Sequence, residues 1–292
     1  MELMEKALRV ADRTRSLAKT AAARLASEPA ALDIARRRAV RPIDYMRYAE
    51  FDAILRDLDM KPDLRLLDIS SPQWFAIYLA DQYPQAEIIY TNIIERELAP
   101  FRRIGEALGL GNLTYRMADV RSLDYPDATF DRVVSISVIE HVYPEVGGDV
   151  TAFREIRRVL KPDGRFVVTM PFKAKRNIVY VDGEVYERGR KARNFFAREY
   201  DKPMFDTLVK DSAMDLLGAW YICESGGRFA IDFYEWGPGK DDLWAKLFAK
   251  CRKVVERGLG KSFEEALTKQ NLYVSRDIEH RVVNIAAALT RG

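Results

Sequence analysis

No glycine occurs before Gly105, although the 292-residue chain holds 16 of them. That gap disfavours a dehydrogenase, because dinucleotide folds use glycines after the first strand to bring backbone close to a pyrophosphate. Histidine is scarcer still: His141 and His280 are the only two. A multi-histidine metal centre is excluded, no metal is expected, and a Ser-His-Asp triad could draw on one of the two alone. The two cysteines, Cys223 and Cys251, share no CxxC-type spacing. This argues against a disulfide framework or a cysteine zinc site and suits a reducing compartment. No apolar run approaches the roughly 18 residues of a membrane span. The opening "MELMEKALRV" mixes acids with bases and lacks the apolar block of a secretory signal, so the expected location is cytoplasmic. A net charge of +3 is too small to imply nucleic acid. The chain also lacks an Asn/Asp-Pro-Pro-aromatic motif and an extended basic face, so no nucleic-acid partner is expected.

What is present is a regular alternation. Residues 3–26 place apolar side chains at helical spacing, with Pro29 as the expected stop, and a second helix is expected from Ile43 to Leu58. From there short apolar runs alternate with helical segments. Strands are expected at 64–70, 87–93, 113–120, 130–142 and 165–172, with helices at 72–83, 98–110 and 150–160. Further on, 204–214 reads as a helix, and 217–225 and 281–291 as strands. This predicts an α/β fold: a Rossmann-like, doubly wound, mostly parallel seven-stranded sheet. The expected organisation is an N-terminal helical extension (1–60) and one domain (61–292). Insertions fall at about 173–203, with a hairpin around "VDGE", and at 237–280.

The segments "ADVRSLDYPDATFDRVVSISVIEHV" (118–142) and "FREIRRVLKPDGRFVVTMPF" (153–172) carry a resemblance. The chain resembles class I S-adenosylmethionine (SAM) dependent methyltransferases of the type-11 kind. In that family an acidic residue follows the third strand, "FD" opens the fourth, and a helix ending in "LKPGG" leads into the fifth. The resemblance implies SAM as cofactor. It implies that Asp119 accepts from the adenine amino group, with the Val120 backbone nearby. It also implies that Asp68, Ser70, Ser71, Asn92 and Ser137 surround the cofactor at the strand ends. Two departures stand out. The glycine-rich motif after Asp68 is absent, and Asn92 replaces the acid that would hold the ribose hydroxyls. Exchanging a charged for a neutral hydrogen bond costs about 1 kcal/mol, which weakens SAM binding without abolishing it. Glu95 is a nearby acid that could compensate.

SAM carries no phosphate, so its loop needs N–H groups and a hydroxyl for a carboxylate rather than glycines. In "LRLLDISSPQWF" (64–75), Ser70 or Ser71 is the expected N-cap, Pro72 suits the first helical position, and Ser70 with Gln73 has capping-box spacing. Methyl transfer is an in-line displacement that positioning can drive, so the lack of an obvious catalytic constellation does not exclude it. If the acceptor must lose a proton, His141 is the first candidate base, with Glu140 and Tyr143 behind it. Alternatively His141 packs the turn before Pro144, and Glu140 only orients the cofactor.

The acceptor is read from the insertions. Residues 185–201 mix bases with aromatics, as a lid over an anionic or aromatic acceptor or as a crossover packed on the sheet. Residues 243–258 form a basic amphipathic pattern, with five bases against one acid over 246–257. Residues 1–42 hold ten bases and five acids. Both patterns suit core coverage or peripheral contact with anionic lipid, and the N-terminal one also suits a homodimer. The expected function is SAM-dependent methyl transfer to a small-molecule or amphiphilic, lipid-like acceptor. The alternative is a methyltransferase-like binding or scaffold protein that no longer turns over SAM.

Overall fold

The computed structural model describes residues 4–186, 189–225, 263–279 and 281–292. Three helices precede the sheet: α1 (Glu5–Arg24), α2 (Pro29–Val40) and α3 (Tyr45–Asp57). The first is alanine-rich and buries Ala7, Val10, Ala11, Leu17, Ala18 and Ala21, the i, i+3, i+4 face that its spacing predicts. Pro29 does not merely stop α1. It opens α2, a helix the periodicity did not reveal, because proline's missing N–H costs nothing in a first turn.

The sheet elements follow: β1 (Arg65–Ile69), α4 (Gln73–Gln82), β2 (Glu87–Asn92), α5 (Glu95–Leu108), β3 (Leu113–Met117), β4 (Phe130–Ile136), α6 (Gly148–Val159) and β5 (Leu160–Pro171). Then come β6 (Asn177–Glu184), β7 (Arg190–Glu199), α7 (Lys202–Asp211), β8 (Asp215–Glu224), α8 (Phe263–Asn271), β9 (Leu272–Ser275) and β10 (Val282–Thr290). The main sheet runs β3-β2-β1-β4-β5-β10-β8-β9. Its first five strands are parallel, and β10 inserts antiparallel between β5 and β8. Among the described residues it has eight strands rather than the expected seven, because the four-residue β9 adds an antiparallel edge to β8. So short a run, inside a stretch read as a helical insertion, left no clear alternation to detect.

The order reverses between β1 and β4, the switch point at which open α/β sheets bind ligands. One core, holding Tyr48, Phe75, Leu79 and Ile104, packs α1, α3, α4 and α5 on one face. The other, holding Phe153, Phe166 and Phe205, packs α6 and α7 on the opposite face. The helix α3 crosses the first face lengthwise. Its Glu50 meets Ser137 just beyond β4 and Thr169 near the carboxyl end of β5, while Asp57 accepts from Arg165 in the first half of β5 and from Trp220 Nε1 at 2.8 Å.

The insertion after β5 is an ordered β6–β7 hairpin. Its reversal falls between Glu184 and Arg190, not at "VDGE". Gly183, with φ at +110°, sits in a register shift within β6 and leaves the ladder intact on both sides. The basic amphipathic pattern at 243–258, and much of the 237–280 insertion, lie outside the described residues.

Candidate active site at the strand switch point

The loop after β1 reaches a glycine-like conformation without glycine. Ser70 has φ of +52°, and its backbone N–H (2.9 Å) and Oγ (2.8 Å) both donate to the Thr91 carbonyl at the end of β2. Left-handed backbone at a non-glycine residue costs about 1–3 kcal/mol, which these two bonds offset. They also correct an expectation. Ser70 turns toward β2, and neither serine caps α4, whose cap position is Pro72 with no side-chain bond. Tyr90 Oη donates to the Ser71 carbonyl at 2.7 Å and pins the loop from below. Two buried polar atoms are left over: Ser71 Oγ and Asp68 Oδ2 make no well-formed hydrogen bond, although the Ser71 hydroxyl lies near the Asp68 carboxyl, whose Oδ1 accepts from the Ser71 N–H at 2.9 Å. Burial pushes the Asp68 carboxyl up to about 7, against the lowering effect of Ser71.

At the end of β2, Asn92 is buried and engaged. Its Oδ1 accepts from the Ile94 N–H at 2.9 Å and its Nδ2 donates to Glu97 Oε2 at 3.1 Å. The acid beside Asn92 is therefore Glu97, one turn into α5. Glu95 instead pairs with Arg102. Asp119 follows β3 as expected, but Arg121 grips it: Nε lies 3.0 Å from both carboxylate oxygens, and Nη1 donates to the Tyr143 carbonyl at 2.7 Å. Hydrogen bonding from Arg121 holds the Asp119 carboxyl below its ordinary range. Val120 is buried in the core under α6.

Beyond β4, Ser137 repeats the Ser70 device. Its φ is +52°, its N–H donates to the Thr169 carbonyl at 3.0 Å, and its Oγ donates to Glu50. Glu50 is fully buried and also accepts from Thr169 Oγ1 (2.9 Å), Asn284 Nδ2 (2.8 Å) and the Arg47 guanidinium. Sequence reasoning missed this residue, though a signal existed: a glutamate on the apolar face of "YMRYAEFDAILRD".

Glu140 and His141 form a single turn of 3-10 helix. Glu140 is buried and its Oε2 has no partner. Desolvation first, then the neighbouring Glu50 charge, pushes its carboxyl up to about 8, with Arg47 and Arg198 pulling the other way. His141 Nδ1 lies 2.7 Å from the Phe196 carbonyl, so Nδ1 carries a proton and donates it. Its Nε2 then faces Glu140 Oε1 at 3.7 Å. The ring also packs edge-on to Phe196 and Tyr186, so His141 fastens the hairpin to the strand-end turn. Buried Arg198 reinforces that seam by donating to the carbonyls of Val142, Pro144 and Glu145 (3.0, 2.6 and 2.7 Å) and pairing with Asp149 at 3.3 Å. Tyr143 is half exposed at the rim.

The residues fit a cofactor with an amino-acid tail. The orphaned Asp68 oxygen can accept from an ammonium and the orphaned Ser71 hydroxyl can meet a carboxylate, which are the unmet bonds a buried polar pocket keeps for a ligand. At the other end, the Asn92–Glu97 pair offers hydroxyl acceptors. Asp119 becomes available once its half-exposed pair with Arg121 opens, and such pairs hold by only about 0–1 kcal/mol.

The strand order, the switch point and the acid-bearing strand ends define a Rossmann-like methyltransferase fold. Residues 67–168 match the family model described as a methyltransferase domain. The chain is 33% identical over 88 residues to sterol 24-C-methyltransferase of Eremothecium gossypii, covering 30% of this chain and 22% of that one. It is 31% identical over 128 residues to cyclopropane-fatty-acyl-phospholipid synthase of Escherichia coli, covering 43% and 31%. Demethylmenaquinone methyltransferase of Geobacillus kaustophilus is 24% identical over 213 residues, covering 72% and 79%. The chain thus matches between a fifth and a third of the length of the first two of these relatives. Among solved structures, the [4+2]-cyclase SpnF superposes with a TM-score of 0.52 at 19% identity, covering 81% of this chain and 78% of that one. Coclaurine N-methyltransferase bound to N-methylheliamine and S-adenosylhomocysteine gives 0.52 at 13% identity, covering 89% and 71%. Residues 67–168 are therefore a class I SAM-dependent methyltransferase domain, and SAM is that family's cofactor.

Proposed function

We propose that the protein transfers the methyl group of SAM to a small or lipid-like acceptor. The carrying observation is the pair of buried, unpartnered atoms Asp68 Oδ2 and Ser71 Oγ at the carboxyl end of β1, inside a methyltransferase domain. Bound there, SAM would supply a methyl group made electrophilic by its sulfonium. Asp68 and Ser71 would hold the amino-acid tail, Asn92 with Glu97 the ribose hydroxyls, and Asp119 with the Val120 backbone the adenine. Ser137 keeps the β4 turn in place through Glu50. Two matched relatives are named for lipid substrates, a sterol and a fatty-acyl phospholipid, which favours an amphiphilic acceptor. Such an acceptor would be met at a membrane surface. No helix among the described residues is long and apolar enough to cross a membrane. Peripheral contact by the basic segments would therefore bring the two together, and pelleting with anionic vesicles at low salt tests it.

Where the acceptor must lose a proton, Glu140 Oε2 would take it. The carboxylate becomes a neutral acid in that step, and His141, held by its Nδ1–H on the Phe196 carbonyl, keeps the Glu140 turn in place. Because the Glu140 carboxyl is raised to about 8, turnover should climb by up to about tenfold per pH unit below that value and level above it. The test is transfer of radiolabelled methyl from SAM into lipid and aqueous fractions of a cell extract. Label in an organic-phase product supports the proposal, and no label in either fraction counts against it.

A second reading, a methyltransferase-like protein without turnover, is favoured by one observation: Arg121 occupies Asp119 and Glu97 engages Asn92. Fold alone does not decide between them, since the [4+2]-cyclase SpnF shares it. Binding of S-adenosylhomocysteine without methyl transfer to any fraction would favour this second reading.

A further inference from the structure

The methyltransferase domain begins at residue 67, so α3 lies outside it. Yet α3 sends Glu50 to the strand ends that form the site. The four described partners of this buried carboxylate are all donors. Its Oε1 accepts from Ser137 Oγ, from Thr169 Oγ1 at 2.9 Å and from Asn284 Nδ2 at 2.8 Å, and its Oε2 takes the Arg47 guanidinium. Thr169 Oγ1 also receives the Ser137 N–H at 3.2 Å, so Glu50, Ser137 and Thr169 close a ring around the end of β4. Left-handed backbone at a non-glycine residue persists only where its surroundings over-determine it. Glu50 supplies that hold on the Ser137 side chain, and the Ser137 turn leads straight into the 3-10 turn that carries Glu140.

Charge makes a second link. The charged and titratable groups around Glu140 come from several elements. Glu50 and Arg47 act from α3, Arg198 from β7, Tyr200 from the residue after β7, and His141 from the same turn. Asp149 of α6 stands behind them, paired with Arg198 at 3.3 Å and accepting from Tyr200 Oη at 2.9 Å. Burial is the larger cause of the raised Glu140 carboxyl; the Glu50 charge adds to it, while Arg47 and Arg198 oppose it. A carboxyl that ionises reluctantly is a stronger base once ionised.

We propose that Glu50, on an element outside the methyltransferase domain, is a positioning residue for Glu140: it fixes the turn that carries Glu140 and sets a buried carboxylate near it. This role rests on the methyl-transfer reading, in which Glu140 takes the acceptor's proton, but it is also read without turnover. The full chain is labelled with carbon-13 at its glutamate carboxyls, and the Glu140 resonance is assigned by its loss in Glu140→Gln. Glu50→Gln keeps an acceptor for Ser137 and removes the charge, so the Glu140 titration midpoint should fall by about one pH unit. Arg47→Gln should move the midpoint the opposite way, and it carries the test should Glu50→Gln fail to fold. Asn284→Ala removes a Glu50 partner but not its charge; it should lower the melting temperature and leave the midpoint in place. In the methyl-transfer assay, the acid limb of the Glu50→Gln pH profile should shift with the midpoint and its plateau should fall about threefold, with S-adenosylhomocysteine affinity unchanged. An unmoved midpoint in Glu50→Gln, shifts of one sign in all three variants, or S-adenosylhomocysteine affinity lost in step with turnover would each overturn the proposal. Absence of methyl transfer by the unmodified protein would count against the methyl-transfer reading, and the midpoints would still decide whether Glu50 governs Glu140.

Discussion

Ser70 and Ser137 end the two strands that flank the switch point, and both hold left-handed backbone by bonding to the neighbouring strand. The missing glycines were plain in the sequence. That serine would adopt the glycine-type turn was not, because its stabilising acceptors, the Thr91 and Thr169 carbonyls, come from strands distant in the chain. The same limit hid the Asp119–Arg121 grip, where adjacency in sequence gave no sign that the guanidinium would fold back. Removing it should free the carboxylate: Arg121→Ala is expected to bind S-adenosylhomocysteine up to about fivefold more tightly. Unchanged or weaker binding would show that Asp119 is not an adenine acceptor. Glu140 predicts a pH effect on stability. In the unfolded chain its carboxyl ionises near 4.5, whereas the folded protein retains the proton until about 8. Between those values the unfolded state binds fewer protons, so stability falls as pH rises, and it levels above about 8. Glu140→Gln removes that component, and its melting temperature should fall less steeply between pH 6 and 8 than that of the unmodified protein. Parallel slopes would refute the assignment.

Among the elements, α3 does more than extend the N-terminus. It carries Glu50 across the sheet and ties it to β4, β5 and β10 through Ser137, Thr169 and Asn284. Truncating one partner of a buried charged network leaves the others unpaired, so Glu50→Ala should lose about 3–5 kcal/mol of stability by urea unfolding. Glu50→Gln, which keeps an acceptor, should lose less. Equal small losses would mean that solvent can replace the carboxylate. The parallel strands were legible as apolar runs and their helices as 3.6-residue periodicity, since each signal is local. The helix α2 is not legible in the sequence because Pro29 suits the start of a helix as well as its end. The hairpin turn was misplaced because Gly183 marks a register shift as readily as a reversal.

At the scale of the molecule, the two cores on opposite faces set the switch point, and the switch point sets the site. The fold was readable from the order of strands. The site was readable only in part: Asp68, Ser71, Asn92, Asp119, Ser137 and Glu140 do gather at the strand ends, but their partners Glu97, Arg121, Glu50 and Arg198 required the structure. The central claim is that Asp68 and Ser71 hold the amino-acid tail of the cofactor where other members of the fold use glycines. Calorimetric titration with S-adenosylhomocysteine tests it most directly. The account predicts saturable, one-to-one binding by the unmodified protein, weakened about tenfold by Ser71→Ala and again by Asp68→Asn. Absence of binding up to millimolar ligand, or affinity indifferent to both substitutions, would contradict it.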